Sequence, residues 1–200
     1  MSESNQLPPA AVIITQDIAD WATWKAHFDG HEATRKAAGM LGHHINRGLE
    51  NPNIVSVYIA VSDLAGAKAF AASDDLHSAM IAAGVKGAPT VTWMTPVVEG
   101  IVWDREVPAM MISHQVANFE SWLAGYQAAE ALRQRDGIIG AAVNRSLDDP
   151  STVVVYHQAE SVDTLKAFLA DPGLKDAMQR AGVTSAPQVT LVTGGWAKRY

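Results

Sequence analysis

The sequence predicts an α+β fold built from two copies of one β–α–β–β–α–β unit. Residues 11–97 align with residues 109–195 at a constant offset of 98, without a gap. Within each copy, short apolar runs that indicate strands alternate with segments whose apolar residues recur every three or four positions, which indicates helices. Side chains that both copies keep, such as Trp24 and Trp122, are candidates for the scaffold. Side chains that only one copy has are candidates for a site.

The first half of each unit is predicted from the first copy. Residues 12–15 form a short apolar run and predict a strand. The next segment carries an apolar stripe at positions 21, 24, 28, 31 and 35 and ends at Gly39, which predicts one continuous helix. Residues 41–49 alternate in polarity, residues 54–61 are largely apolar, and Asn51-Pro52 lies between them. These two segments therefore predict a hairpin.

The second half of the unit completes the order of elements. Residues 64–70 predict a second helix, residues 76–80 a short helical turn that Gly84 stops, and residues 90–94 a last strand. The order is that of the ferredoxin-like unit, in which both helices cover one face of a four-stranded antiparallel sheet. The strands carry apolar residues at both odd and even positions, so both faces of each sheet should be covered. We therefore expect the two sheets to face each other in an eight-stranded barrel.

The tandem unit resembles the dimeric α+β barrel superfamily. The resemblance rests on the element order, the duplication, and the Gly-Val-x-x-Ala-Pro lead into the last strand at residues 84–89 and 182–187. Members of this superfamily usually form the barrel from two chains, so the resemblance implies an intrachain pseudo-dimeric α+β barrel. Its families include cofactor-free monooxygenases of antibiotic biosynthesis, haem-degrading monooxygenases and muconolactone isomerase-like enzymes.

The repeat also predicts the domain organisation. We expect a first ferredoxin-like repeat at residues 11–97, a linker at residues 98–108, and a second repeat at residues 109–195. The linker contains Ile101-Val102-Trp103, which predicts a strand extension that embraces the other half. The chain from Gly195-Trp196 onward is its expected partner.

Composition excludes several classes of function. The net charge of −6 and the absence of a basic cluster argue against a nucleic-acid surface. The chain has no cysteine, which excludes disulfides, cysteine-based zinc sites and thiol nucleophiles. No secretory signal and no apolar run of membrane-spanning length is present, so we expect a cytoplasmic protein without membrane contact. The phosphate-binding and serine-hydrolase motifs are also missing.

The two halves differ most in histidine. The first half has five and the second has two. The first-half residues are His27, His31, His43, His44 and His77, and their counterparts are Gly125, Ala129, Ala141, Ala142 and Lys175. This asymmetry is the sharpest functional hint in the sequence.

Spacing brings some of these histidines together. A helix rises about 1.5 Å per residue and a strand about 3.3 Å, so the chain that turns at Gly39 places His43 level with Arg35. We therefore predict one cavity between helix and sheet, with His31 and His43 as catalytic residues. This is also where the resemblance places a ligand pocket. The predicted ligand-binding residues are Trp24, Phe28, Arg35, Tyr58 and Trp93.

Less specific interpretations apply to the same residues. The histidines can be structural or face solvent, and His27 lies off the apolar stripe. Arg35 and Arg133 can clamp an anion, pair with Glu32 and Glu130, or bind the last helical carbonyls. The His-x-x-x-His pair has no evident third ligand, so we expect no metal. We expect no cofactor.

The sequence thus predicts a small-molecule-binding α+β barrel protein. A cofactor-free monooxygenase or isomerase-like enzyme that acts on an aromatic or polyketide-like compound is the first hypothesis. The alternative is a non-catalytic ligand-binding or interaction protein that uses the barrel as scaffold. Enzymatic activity is therefore open. A small hydrophobic or aromatic molecule is the expected partner, and the chain is either a monomeric pseudo-dimer or a homodimer.

Overall fold

A computed structural model describes residues 6–200 and divides the chain into two compact units. The N-terminal unit comprises the residues up to Met94 together with Trp196–Tyr200, and the C-terminal unit comprises Thr95–Gly195. Residues 1–5, which belong to the segment predicted to lack a secretory signal, lie outside the described residues. Within the described chain, no helix combines the length and the apolar character that crossing a membrane requires.

Both repeats have the predicted order of elements. The first contains β1 (Ala10–Ile18), α1 (Trp21–Gly30), α2 (Glu32–Ala37), β2 (Met40–Gly48), β3 (Ile54–Val61), α3 (Leu64–Ala71), α4 (Asp74–Ala82) and β4 (Val85–Gly100). The second contains β5 (Val107–Gln115), α5 (Phe119–Ala128), α6 (Glu130–Arg135), β6 (Ile138–Ser146), β7 (Thr152–Ala159), α7 (Val162–Ala170), α8 (Pro172–Arg180) and β8 (Gln188–Arg199). The α+β class with two ferredoxin-like repeats is confirmed.

Each unit is organised around an antiparallel sheet. The strand order is β4–β1–β3–β2 in the N-terminal unit and β8–β5–β7–β6 in the C-terminal unit. In the N-terminal unit, Val12 is paired with Ile59 and Trp93, and Ile59 is paired with His43. Paired residues lie on the same face of a sheet. Buried Val12 and Ile59 share a core with helical Trp24, so this face is the one that the helices cover.

The predicted helix over residues 21–35 is in fact two helices. α1 ends at Gly30, His31 adopts φ −94° and ψ 13°, and α2 begins at Glu32. The second repeat breaks at the equivalent Ala129. The apolar stripe does not reveal the break, because the stripe continues through it. Arg35 in α2 reaches back to donate a hydrogen bond to the carbonyl of Phe28, which lies at the end of α1.

The last strand of each repeat is longer than predicted. Residues 90–94 and 188–192 were the expected strands, whereas β4 covers Val85–Gly100 and β8 covers Gln188–Arg199. Pro89, Pro96 and the paired glycines at 194–195 interrupt the local strand pattern, so sequence alone shortens both elements. The ends of these strands find their packing through non-local contacts.

The residues that follow β4 and β8 each contact a neighbouring strand of their own unit. In the N-terminal unit, Tyr200 donates its backbone N–H to the carbonyl of Leu41 at 2.9 Å. A Cβ atom on neighbouring Gly42 would lie 2.6 Å from the carbonyl oxygen of Lys198. In the C-terminal unit, the side-chain amide of Gln158 pairs with both the N–H and the carbonyl of Val102, at 2.7 and 3.1 Å. Both segments are thereby fixed against the adjacent strand.

Two glycines of the N-terminal unit give a matched test of the α2–β2 turn. Gly39 has φ +82°, and a Cβ atom there would lie 2.6 Å from Cβ of Asp63. Gly30 has no atom within 4 Å of the equivalent position. We expect Gly39→Ala to lower the free energy of unfolding by at least about 1–2 kcal/mol, and Gly30→Ala to leave it unchanged or raise it by up to about 1 kcal/mol. Urea denaturation measures both, and equal effects would contradict this account of the turn.

Candidate functional site

The N-terminal unit contains a cavity between its helices and its sheet, which we call the first cavity. Its volume is about 90 Å³ and its walls are mainly apolar. The sheet supplies Val12, Ile14, Val57, Ile59 and Trp93, and the helices supply Trp24, Phe28, Phe70, Leu76 and Met80, among others. Its polar residues are Gln16, His27, His31 and Arg35.

Five of the seven predicted site residues line the first cavity. These are Trp24, Phe28, His31, Arg35 and Trp93. The lining does not include His43 or Tyr58. Tyr58 lies between Val57 and Ile59 in β3, and successive side chains of a strand point to opposite faces of the sheet. Since Val57 and Ile59 line the cavity, Tyr58 belongs to the other face.

His43 lies directly behind the aromatic wall of the cavity. Its ring makes an edge contact with the ring of Phe28, with centroids 4.9 Å apart. Its Nδ1 is 2.9 Å from the hydroxyl of Tyr200, and that hydroxyl accepts a hydrogen bond from Nε of Arg35 at 2.5 Å. Since Arg35 can only donate, the hydroxyl proton of Tyr200 is available to His43.

Burial and nearby positive charges keep His43 uncharged at neutral pH. Burial, and secondarily the positive charges of Arg35 and Lys25, lower the pKa of His43 from 6.5 to about 4. At neutral pH its Nδ1 is therefore an acceptor for the Tyr200 hydroxyl, and Nε2 carries the proton. His43 holds Tyr200, and through it Arg35, in place.

His31 has one defined tautomer when it is neutral. Its Nδ1 is 2.8 Å from the carbonyl oxygen of His27. A carbonyl oxygen only accepts, so Nδ1 carries the proton and Nε2 carries the lone pair. Half-buried His27, which lies off the predicted stripe, also lines the cavity, because residues one turn apart on a helix are neighbours.

Arg35 is buried to 3% exposure and is held on three sides. Its guanidinium lies 3.7 Å above the ring of Phe28, Nη1 donates to the Phe28 carbonyl, and Nε donates to Tyr200. Arg35 thus binds a carbonyl near the end of the first helix, as one of the predictions had it. The predicted ion pair of Arg35 with Glu32 is not formed, since Glu32 accepts a hydrogen bond from Lys198 at 2.5 Å instead. Within residues 6–200, Nη2 has no hydrogen-bond partner. An unpaired buried donor costs roughly 1–3 kcal/mol, so Nη2 is a donor in need of an acceptor, on a residue that lines the cavity.

The C-terminal unit has a second cavity at the equivalent place, with a volume of about 60 Å³. The histidines found only in the first repeat do not predict this second cavity, because its own histidines occur only in the second repeat. His114 replaces Gln16 and His157 replaces Ile59, so the second cavity has its histidines on the sheet. Gly125 and Ala129 replace His27 and His31 on the helical wall. The signal was present, since these two histidines also occur in one half only.

Comparison with solved structures gives the fold of the chain. An anthrone oxidase-like protein matches 95% of this chain and 92% of its own, with a TM-score of 0.71 and 12% identity. A candidate monooxygenase from Lactobacillus acidophilus matches 96% of each chain, with a TM-score of 0.67 and 11% identity. A ferredoxin-fold protein from Listeria monocytogenes, described as related to antibiotic biosynthesis monooxygenases, matches 93% and 94%, with a TM-score of 0.56 and 7% identity.

These matches extend over both repeats, so the proteins share the ferredoxin-like fold of this chain from end to end. At 7–12% identity they show the fold alone. No protein-family model matches the sequence, and no curated protein is significantly similar to it.

The buried histidines predict a pH dependence of stability. Burial lowers the pKa of His43, His44 and His114 from 6.5 to about 4, and that of His157 to about 3. Below pH 6.5 the unfolded chain therefore binds protons that the folded chain does not bind, and acid favours unfolding. The stabilisation is complete above pH 6.5 and is lost as the pH falls towards 4.

We expect the free energy of unfolding, measured by urea denaturation, to decrease steadily between pH 6.5 and pH 4. His157→Ile, which copies Ile59 of the first repeat, removes one of these groups and should make the decrease shallower. A wild-type stability that stays constant over this interval would show that these histidines are accessible to protons in the folded protein.

Proposed function

We propose that the N-terminal unit binds a small aromatic molecule in the first cavity and removes a proton from it. One observation carries this proposal: an oriented imidazole and a buried guanidinium donor line the same apolar cavity. His31 is the proposed base, and Arg35 Nη2 is the proposed donor to the oxygen on which negative charge develops. The remaining lining residues select for an apolar, flat ligand.

The cavity walls support an aromatic ligand. Trp24 and Phe28 stack at a centroid distance of 5.1 Å, and Trp93 lies on the sheet side. Small-molecule sites are typically apolar hollows with a few polar groups that fix the orientation of the ligand. The polar groups here are on the helical wall, where His31 and Arg35 lie one turn apart in the chain. A ligand oxygen that reaches Arg35 therefore brings its neighbouring carbon towards His31.

The two groups have complementary roles. Because Nδ1 of His31 is committed to the His27 carbonyl, Nε2 is the nitrogen that can accept a proton from the ligand. Removal of a proton next to a carbonyl, or from a ring hydroxyl, leaves negative charge on an oxygen. Arg35 is fixed by Phe28 and Tyr200 before any ligand binds, so its Nη2 donor needs no reorganisation to stabilise that charge.

Two reactions can follow from such an anion. Return of the proton to a different carbon is isomerisation. Oxygenation follows if the carbanion left from a CH2 group adds dioxygen, the co-substrate, to give a hydroperoxide. Loss of water then breaks the O–O bond and leaves a carbonyl, so one oxygen atom enters the product and the other leaves as water. The names of the structural neighbours, two of which refer to monooxygenases and one to an anthrone oxidase, support oxygenation as the more specific proposal. Neither reaction uses His43 directly, and we assign His43 the role of positioning Tyr200 and Arg35.

Non-catalytic ligand binding is the second candidate. The observation in its favour is that His43, the other predicted catalytic residue, is engaged with Tyr200 and is absent from the cavity lining. A binding protein needs only the apolar walls and the Arg35 donor. The two candidates differ in whether His31 accelerates proton removal.

5-Nitrobenzisoxazole is a suitable probe, because a base opens its ring by removing one carbon-bound proton while the N–O bond breaks and a coloured phenolate forms. We expect wild-type protein to catalyse this reaction with saturation. His31→Ala should lower kcat by at least about tenfold, since a positioned base contributes roughly 10²–10⁴-fold. The absorbance of the phenolate measures the rate.

His77→Ala is the matched control, because His77 is exposed and lies outside the first cavity. This variant should keep the wild-type rate. Equal rates for His31→Ala and wild type would refute the proposed base. Saturable binding of the probe without turnover by wild type would instead favour the non-catalytic candidate.

A further inference from the structure

We infer that the second cavity is a separate binding site for a small phenol, a neutral aromatic ring that carries one hydroxyl group. The inference concerns the C-terminal unit alone and does not depend on the proposed function of the first cavity. It rests on three observations: buried ring nitrogens without partners among residues 6–200, a surrounding wall of apolar and aromatic side chains, and a helical wall made mostly of small residues.

The nitrogens belong to His114 and His157. His114 is 5% exposed and lines the second cavity, yet neither of its ring nitrogens has a hydrogen-bond partner among residues 6–200. His157 is 3% exposed and donates or accepts one hydrogen bond, between Nε2 and the hydroxyl of Tyr126 at 3.0 Å. Its Nδ1 is also buried without a partner in the described chain. Buried polar groups of native proteins are nearly always paired, so these atoms point to a missing partner.

The chemistry of the rings defines what that partner must offer. Burial keeps both histidines uncharged at neutral pH, since it lowers the pKa of His114 to about 4 and that of His157 to about 3. A neutral imidazole presents one N–H donor and one acceptor nitrogen. A hydroxyl group likewise donates once and accepts, so a ligand hydroxyl can pair with either ring nitrogen of His114, as donor or as acceptor, without burying a charge.

The rest of the cavity favours an aromatic ring on that hydroxyl. Trp122, Tyr126 and Phe168 line it together with aliphatic side chains. The ring of His157 lies parallel to that of Tyr126 at 5.9 Å and meets the edge of Phe168 at 5.5 Å. Such walls stack with or contact the edge of a flat ring.

The helical wall of the second cavity consists mostly of small residues and also borders a groove of about 360 Å³. The residues that line both are Gly125, Ala129, Leu132, Ala177 and Ala181. In the N-terminal unit the positions of Gly125 and Ala129 carry His27 and His31. The C-terminal unit therefore has its cavity histidines on the sheet, whereas the N-terminal unit has them on the helical wall. The two cavities are built for different ligands.

Phenol and benzene are a matched pair of probes, because they differ by the hydroxyl alone. Each is titrated into the full-length protein labelled with ¹⁵N in histidine, and the ring nitrogens are followed by NMR. We expect phenol to shift the nitrogens of His114 and to bind about tenfold more tightly than benzene, as one additional hydrogen-bonded group allows. His114→Leu should abolish this preference. Gln16→Leu, the equivalent change in the first cavity, should retain it.

Three results would overturn the inference: phenol that leaves the His114 nitrogens unshifted, which would indicate trapped water as their partner; equal affinities for phenol and benzene; or a preference that survives in His114→Leu.

If His114→Leu does not fold, Ala129→His tests the same site from the opposite wall. This variant copies His31 and fills space at the helical wall of the second cavity, so it should weaken phenol binding about tenfold. Unchanged binding would contradict the proposed site.

Discussion

An arginine guanidinium, buried at Arg35 and half-buried at Arg133, organises the helical wall of each cavity. Arg35 and Arg133 each donate from Nη1 to the carbonyl of the residue seven positions earlier, Phe28 or Tyr126, and each lies over the ring of that same residue. The contact holds the second helix against the end of the first, at the break that both repeats share. It thereby fixes an aromatic ring that lines the cavity, Phe28 in the first repeat and Tyr126 in the second. The two halves keep this arrangement and vary the side chains around it.

The element order and most of the first cavity could be predicted from the sequence, because both depend on local periodicity. Trp24, Phe28 and His31 follow a helical stripe, and the antiparallel return of the chain places the sheet beside them. The orientation of Tyr58 was also within reach, since its alternation with Val57 and Ile59 puts it on the other face. His43 was different. Its partner Tyr200 lies 157 positions away, and no local pattern reveals such a contact.

Several polar residues that line the cavities differ between the repeats. Gln16 and Ile59 on the first sheet correspond to His114 and His157 on the second. On the helical wall the histidines are in the first repeat instead, where His27 and His31 correspond to Gly125 and Ala129 of the second. Apolar packing around Trp24 and Trp122 is retained, because loss of a large core side chain costs about 3–5 kcal/mol. The lining histidines and Gln16 carry no such constraint, unlike the shared arginines, so a duplicated fold can acquire two chemistries without changing its core.

The central claim is that the two cavities bind ligands through different polar groups. A crystal structure of the protein soaked with 4-nitrophenol tests it most directly. The account predicts the probe in both cavities, with its oxygen at Nη2 of Arg35 in the N-terminal unit and at a ring nitrogen of His114 in the C-terminal unit. Density on the outer surface only, or the same polar contacts in both cavities, would contradict it.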